Sequence, residues 1–68
     1  MTRYHFEIQS KDGHGGRVGE CVQDDQPNDS AALASASEWF EDESLGWRDT
    51  VVVTSLATGR LVGEVSSD

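Results

Sequence analysis

The sequence predicts an α+β fold, a four-stranded antiparallel sheet in the order β-β-α-β-β with one helix packed on one face. Three observations predict it: a strictly alternating segment opens the chain, one stretch of three- and four-residue apolar spacing occupies the middle, and a β-branched run and a second apolar segment close it around a glycine turn. With 68 residues, the chain reads as a single small domain over residues 1–68. A chain of this size buries only about 60 % of its unfolded surface, and its single core supplies about 3–5 kcal/mol of net stability. That excludes a deep multilayer enzyme fold.

Between Arg3 and Gln9, Tyr4, Phe6 and Ile8 alternate with Arg3, His5, Glu7 and Gln9, as a half-buried first strand requires. The segment Lys11-Asp12-Gly13-His14-Gly15-Gly16 reads as a turn. Arg17–Gln23 resumes an extended pattern with Val18 and Val22 on one face, and Gly19 permits a bulge there. Asp24-Asp25-Gln26-Pro27-Asn28-Asp29 is expected to break that strand, with Asn28 or Asp29 as the cap of the next element.

A helix follows over residues 30–43, where Ala32, Leu33, Ala36, Trp39 and Phe40 form one apolar stripe and Gly46 marks the exit. Asp49–Leu56 and Arg60–Ser66 are the last two strands, joined by Ala57-Thr58-Gly59 with Gly59 left-handed. Tyr4, Phe6, Ile8 and the valines are expected to face Leu33, Ala36, Trp39 and Phe40. Alternation does not decide among Val51, Val52 and Val53, but at least one must lie on the open face. An apolar open face on so small a protein favours self-association or partner binding, so a homodimer through the sheet is one reading.

The net charge of −8 is unevenly distributed. Residues 1–23 are neutral overall and residues 50–68 carry −1, whereas Asp24, Asp25, Asp29, Glu38, Glu41, Asp42, Glu43 and Asp49 face Arg48 alone and leave −7 on the middle segment. The five basic residues are scattered, which argues against direct binding of nucleic acid. No apolar run is long enough to span a bilayer, and Met1-Thr2-Arg3-Tyr4-His5 lacks the apolar stretch of a secretory signal, so no membrane is expected. The single cysteine, Cys21, has no intramolecular disulfide partner and suits a reducing cytoplasm.

Motifs of chemistry are mostly rejected on their spacing. The glycines from Gly13 to Gly19 lack the Lys-Ser/Thr pair of a phosphate loop and open a strand. A calcium loop beginning at Asp25 would put Ser30 where glycine is needed and Ala36 where the bidentate glutamate belongs. His5 and Cys21 on neighbouring strands lack the orienting groups of a thiol enzyme, and a surface histidine with a partly buried cysteine is the expected arrangement. Neither an enzyme nor a cofactor or metal site is expected.

The acidic helix resists so plain an account. Glu38, Glu41 and Asp42 lie at three- and four-residue spacing opposite the apolar stripe, with Glu43 adjoining and no basic residue four positions away. Like charges at that spacing repel by a few tenths of a kcal/mol per pair, and carboxylates in a last turn oppose the helix dipole by about 0.3–1 kcal/mol each. Either the face only improves solubility or it meets a basic surface, with Asp24, Asp25 and Asp49 extending it. Trp47, beyond the stripe, reads as an aromatic anchor for a partner or as a lid over the core's end.

Two resemblances accompany this reading. Met1-Thr2-Arg3-Tyr4-His5-Phe6, Asp29-Ser30-Ala31-Ala32-Leu33-Ala34, and Val51-Val52-Val53-Thr54 through Thr58-Gly59-Arg60-Leu61-Val62 resemble a family of short uncharacterised bacterial β-β-α-β-β proteins, which implies the fold and no activity. In size, acidity and build the chain also resembles small phage anti-CRISPR proteins, several of which block DNA binding by RNA-guided complexes. That likeness implies a non-enzymatic inhibitor in the cytoplasm of a bacterial or phage-infected cell. Its acidic helix would mimic nucleic acid on the basic surface of a protein or ribonucleoprotein complex.

Overall fold

The computed structural model describes residues 1–10 and 18–66. Its elements follow the expected order: β1 (Thr2–Ser10), β2 (Cys21–Gln26), α1 (Asp29–Asp42), β3 (Asp49–Ser55) and β4 (Leu61–Val65). The strands form one antiparallel sheet in the order β2-β1-β3-β4, with α1 across one face. The turn expected over Lys11–Gly16 lies outside the described residues.

β1 is paired on both sides, so its register sets both faces of the sheet. Phe6 lies opposite Val22 of β2 and Val53 of β3, and Ile8 lies opposite Val51. Directly opposed residues share a face, which places Tyr4, Phe6, Ile8, Val51, Val53 and Ser55 under the helix, all buried. Val52 is the valine left on the open face, opposite Glu7. From above, Ala32, Ala36 and Phe40 complete the core, with Leu33 and Trp39 half-buried beside it. A methyl group added at Gly63 would lie 3.0 Å from a Leu33 methyl, so the bare glycine sets how closely α1 approaches β4.

The second strand departs from the expected one. It runs from Cys21 to Gln26, so Asp24 and Asp25 are strand residues and do not break the strand. β1 extends back to Thr2 and offers ladder partners to Asp24, Asp25 and Gln26. At an exposed edge both carboxylates stay solvated, so the poor strand preference of aspartate costs little. Pro27, lacking an N–H, follows the last paired residue.

The bulge allowed by Gly19 is present. Gly19, at φ +95°, donates its N–H to the Ile8 carbonyl at 2.9 Å, while the Ile8 N–H reaches Glu20 at 2.8 Å. Two residues thus oppose one, with glycine in the left-handed position that others avoid. The helix packs more over β3 and β4 than over β2. Val22 and Val18 therefore remain exposed and do not join the core as expected.

Asn28 caps α1, its side-chain oxygen accepting the Ala31 N–H at 2.8 Å. Asp29, relieved of capping, instead fastens the helix start to the central strand. Its carboxylate accepts a 2.7 Å hydrogen bond from the buried Tyr4 hydroxyl. The hydrogen bond to Asp29, then burial and the repulsion of the same carboxylate, raise the Tyr4 pKa above its usual 10.0, against a smaller opposing effect of Thr2.

A raised folded pKa means that this stabilisation is fully present below the unfolded value of about 10 and is lost as pH rises through the folded one. Tyr4 is the only tyrosine in the chain, so phenolate absorbance reports it alone. The expected midpoint lies above 10 in the folded protein, lower in Asp29→Asn, and at about 10 in denaturant. A native midpoint at or below the denatured one would contradict the assignment.

Candidate acidic interaction surface

The C-terminal half of α1 and the loop leading to β3 collect most of the expected site. Glu38, Glu41 and Asp42 are exposed, and among the described residues none of the three has an ion-pair or hydrogen-bond partner for its carboxylate. Glu43 is half-buried and forms the C-cap. The last turn carries no basic residue, so Glu41 and Asp42 stand at the negative end of the helix dipole with no cation in that turn.

The helix ends before the expected exit glycine. The left-handed residue is Ser44, at φ 52°, with its N–H bonded to the Glu41 carbonyl and the Leu45 N–H bonded to the Phe40 carbonyl. This pair of bonds is a Schellman motif, and Leu45 supplies the accompanying apolar contact by packing against the core. A non-glycine residue in this region costs about 1–2 kcal/mol, and glycine there loses about 0.5–1 kcal/mol of that in added chain entropy. Ser44→Gly is therefore expected to stabilise the domain by about 0.5–1 kcal/mol, seen as a melting midpoint several degrees higher. An unchanged or lower midpoint would show that Ser44 is not strained.

Gly46 serves the loop instead. Its N–H donates to the Asp49 carboxylate at 2.9 Å and its carbonyl accepts the Asp49 N–H at 3.0 Å, closing a tight turn into β3. Asp49 thus contributes charge at the base of the surface while its carboxylate is held by the turn. At the tip of that turn Trp47 is 68 % exposed, which rules out a lid over the core. The Arg48 guanidinium lies 4.8 Å from the Trp47 ring centroid, a cation–π contact that residue spacing did not bring to notice.

The structure does not bring Asp24 and Asp25 to this surface. They lie on β2 beside the start of α1, about 20 Å from its end at the rise of a 14-residue helix. They also point to opposite faces of the sheet. Asp24 shares the side of Tyr4 and accepts from the Gln26 amide at 2.7 Å. Asp25 lies on the open face, 3.4 Å from Arg3. The charge run in the sequence therefore divides into a helix-end cluster and a separate pair at the sheet edge.

The thiol is exposed, where a partly buried one was expected. Cys21 lies opposite Glu7, whereas His5 lies opposite Gln23 and sits 3.4 Å from a Glu7 oxygen. His5 and Cys21 are diagonal neighbours with no bond between them among the described residues. No group of three or more His, Cys, Asp or Glu that could hold a metal occurs among the described residues. A depression of about 350 Å³ lined by Gln9, Ser10, Thr50, Glu64 and Ser66 contributes nothing to the acidic helix end. No helix among the described residues is long and apolar enough to cross a membrane.

Comparison with protein-family models, curated proteins and solved structures returns no match for this chain. What the structure shows is a small β-β-α-β-β domain.

Proposed function

We propose that this protein is a non-enzymatic acidic binding protein whose helix end occupies a basic, nucleic-acid-binding surface of a bacterial protein or ribonucleoprotein complex. It acts there as an inhibitor by mimicking nucleic acid, in the manner of the anti-CRISPR proteins it resembles in type, in the cytoplasm of a bacterial or phage-infected cell. The observation that carries this reading is the unbalanced end of α1. Glu38, Glu41 and Asp42 are solvent-exposed, without a countercharge in the last turn, and the loop that follows carries the exposed Trp47. A domain of this size keeps such a destabilising arrangement at the expense of scarce stability.

Carboxylates on a rigid helix match surfaces that place Lys and Arg for phosphates, and Trp47 offers the kind of aromatic anchor that dominates interfaces. Electrostatic attraction of this kind speeds encounter and weakens with salt. Immobilised protein is expected to retain a bacterial nucleic-acid-binding complex that elutes as salt rises, and the free protein should displace that complex from its DNA or RNA. Retention that ignores salt, or a retained complex that still binds nucleic acid, would refute the reading.

A further inference from the structure

The open face of the sheet carries a second surface, chemically unlike the helix end. Its side chains are arranged in rows set by the register. Asp25, Arg3 and Leu56 form one row, because the Leu56 N–H continues the ladder to the Arg3 carbonyl at 3.0 Å. His5, Thr54 and Leu61 are aligned in the next, and Glu7, Val52 and Glu64 in the third. The β3–β4 side of this face carries three apolar side chains around Thr54: Leu56, 45 % exposed, in the first row, Leu61, 62 % exposed, in the second, and half-buried Val52 in the third. Arg3 stands at one corner and Glu64, which has no partner among the described residues, at the diagonally opposite one, with Thr54 midway.

We propose that a second copy of this chain docks on this open face. A two-fold axis parallel to the sheet, just outside its open face and passing over Thr54 and beside Leu61, maps the Arg3 corner onto the Glu64 corner. Arg3 of each copy then meets Glu64 of the other, and Leu56 meets the Leu61 side of the second copy. One operation pairs Arg3 with Glu64 twice and covers the leucines, as an isologous interface requires. The strands of the two sheets cross steeply, in the orthogonal class of sheet packing.

A self-partner also suits the charge distribution. The face holds Arg3 among three carboxylates, whereas the helix end would set unbalanced carboxylates against their copies. Edge pairing through β2 is disfavoured for a related reason. Asp24 and Asp25 would approach their own copies there, and the Asp24 carboxylate already takes the Asp25 N–H at 3.0 Å. Helix α1 lies on the opposite face, so the dimer leaves the acidic surface free and its fate is independent of the function proposed above.

The interface is small. A face within the molecule's 33 × 20 Å projection buries on the order of 1,000 Å² over both copies, at or below the lower end of stable interfaces. So small an interface is expected to give a weak dimer, with dissociation on the order of 0.1 mM. Sedimentation equilibrium between about 10 μM and 1 mM, in about 0.15 M salt, is expected to show monomer passing to dimer.

Leu61→Asp, and the milder Leu61→Ser, should weaken the dimer about tenfold or more with unchanged circular dichroism. Arg3→Glu and Glu64→Arg should each weaken it, and the two together should restore it. Monomer mass throughout, a dimer indifferent to both Leu61 variants, or no restoration in the double variant would overturn the proposal.

Discussion

Phe40→Ala is expected to leave the chain unfolded at 25 °C. Phe40 is the one large apolar side chain that α1 buries, at 7 % exposure; its companions Ala32 and Ala36 are small, and Leu33 and Trp39 are only half-buried. The ring projects onto the β-sheet side chains that make up the rest of the core, and among the described residues no other helix or second sheet supplies atoms to fill the space it vacates. Truncating a buried phenylalanine costs about 3–5 kcal/mol, the transfer term plus the cavity. A single core of this size supplies about the same total. The variant should show neither a folded circular dichroism spectrum nor dispersed amide resonances. A cooperative melt lowered by only a few degrees would mean that the helix is held mainly by its ends, through Tyr4–Asp29 and Leu45.

Reversing Glu38, Glu41 and Asp42 together to lysine is expected to move stability and binding in opposite directions. Three carboxylates become cations next to the negative end of α1, so each change in the last turn should stabilise the helix by about 0.3–1 kcal/mol, while the mutual repulsion of positions 38, 41 and 42 persists because three like charges remain at the same spacing. The melting midpoint should rise. Affinity for the basic complex captured from lysate should fall at least about a hundredfold at low salt, because each reversal replaces an attraction with a repulsion. A face that only improves solubility would raise stability and leave binding unchanged, and a face needed for folding would lower both. Only the opposed pair of shifts supports the proposed function.

The legible parts of the fold were those written in local spacing. Tyr4, Phe6 and Ile8 at alternate positions identify a strand with one buried face, and Ala32, Ala36 and Phe40 at helical spacing identify what covers it. The hairpin with left-handed Gly59 was equally local. Less legible was whatever depended on a partner strand. Asp24 and Asp25 carry every local mark of a breaker, yet they pair with Tyr4 and Arg3 because β1 extends far enough to receive them. Ser44 holds the left-handed position although Gly46 is the better candidate by residue type. Placing Leu45 on the core and closing the bonds to Phe40 and Glu41 outweigh the strain.

The candidate site divides along the same line. Glu38, Glu41 and Asp42 share a face because three- and four-residue spacing on a helix permits nothing else, so that part of the surface was readable in advance. Charge adjacency along the chain was no guide to adjacency in space for Asp24 and Asp25, which the strand pairing sends to the other end of the helix and to both sides of the sheet. The exposure of Trp47 likewise depended on where the turn closed by Asp49 leaves its tip.

By itself the amino-acid order determined the α+β class, the sequence of elements, the core face of β1 and α1, and a −7 segment around one helix. These follow from backbone periodicities of about 3.6 and 2 residues, which act between near neighbours. The tertiary structure alone decided the strand order β2-β1-β3-β4, the open-face position of Val52, the exposure of Leu61, and the division of the acidic segment into two sites. Those depend on which strand pairs with which and in what register. Contacts between residues distant in the chain select that register, since a slip of one residue would turn every side chain of a strand to the opposite face.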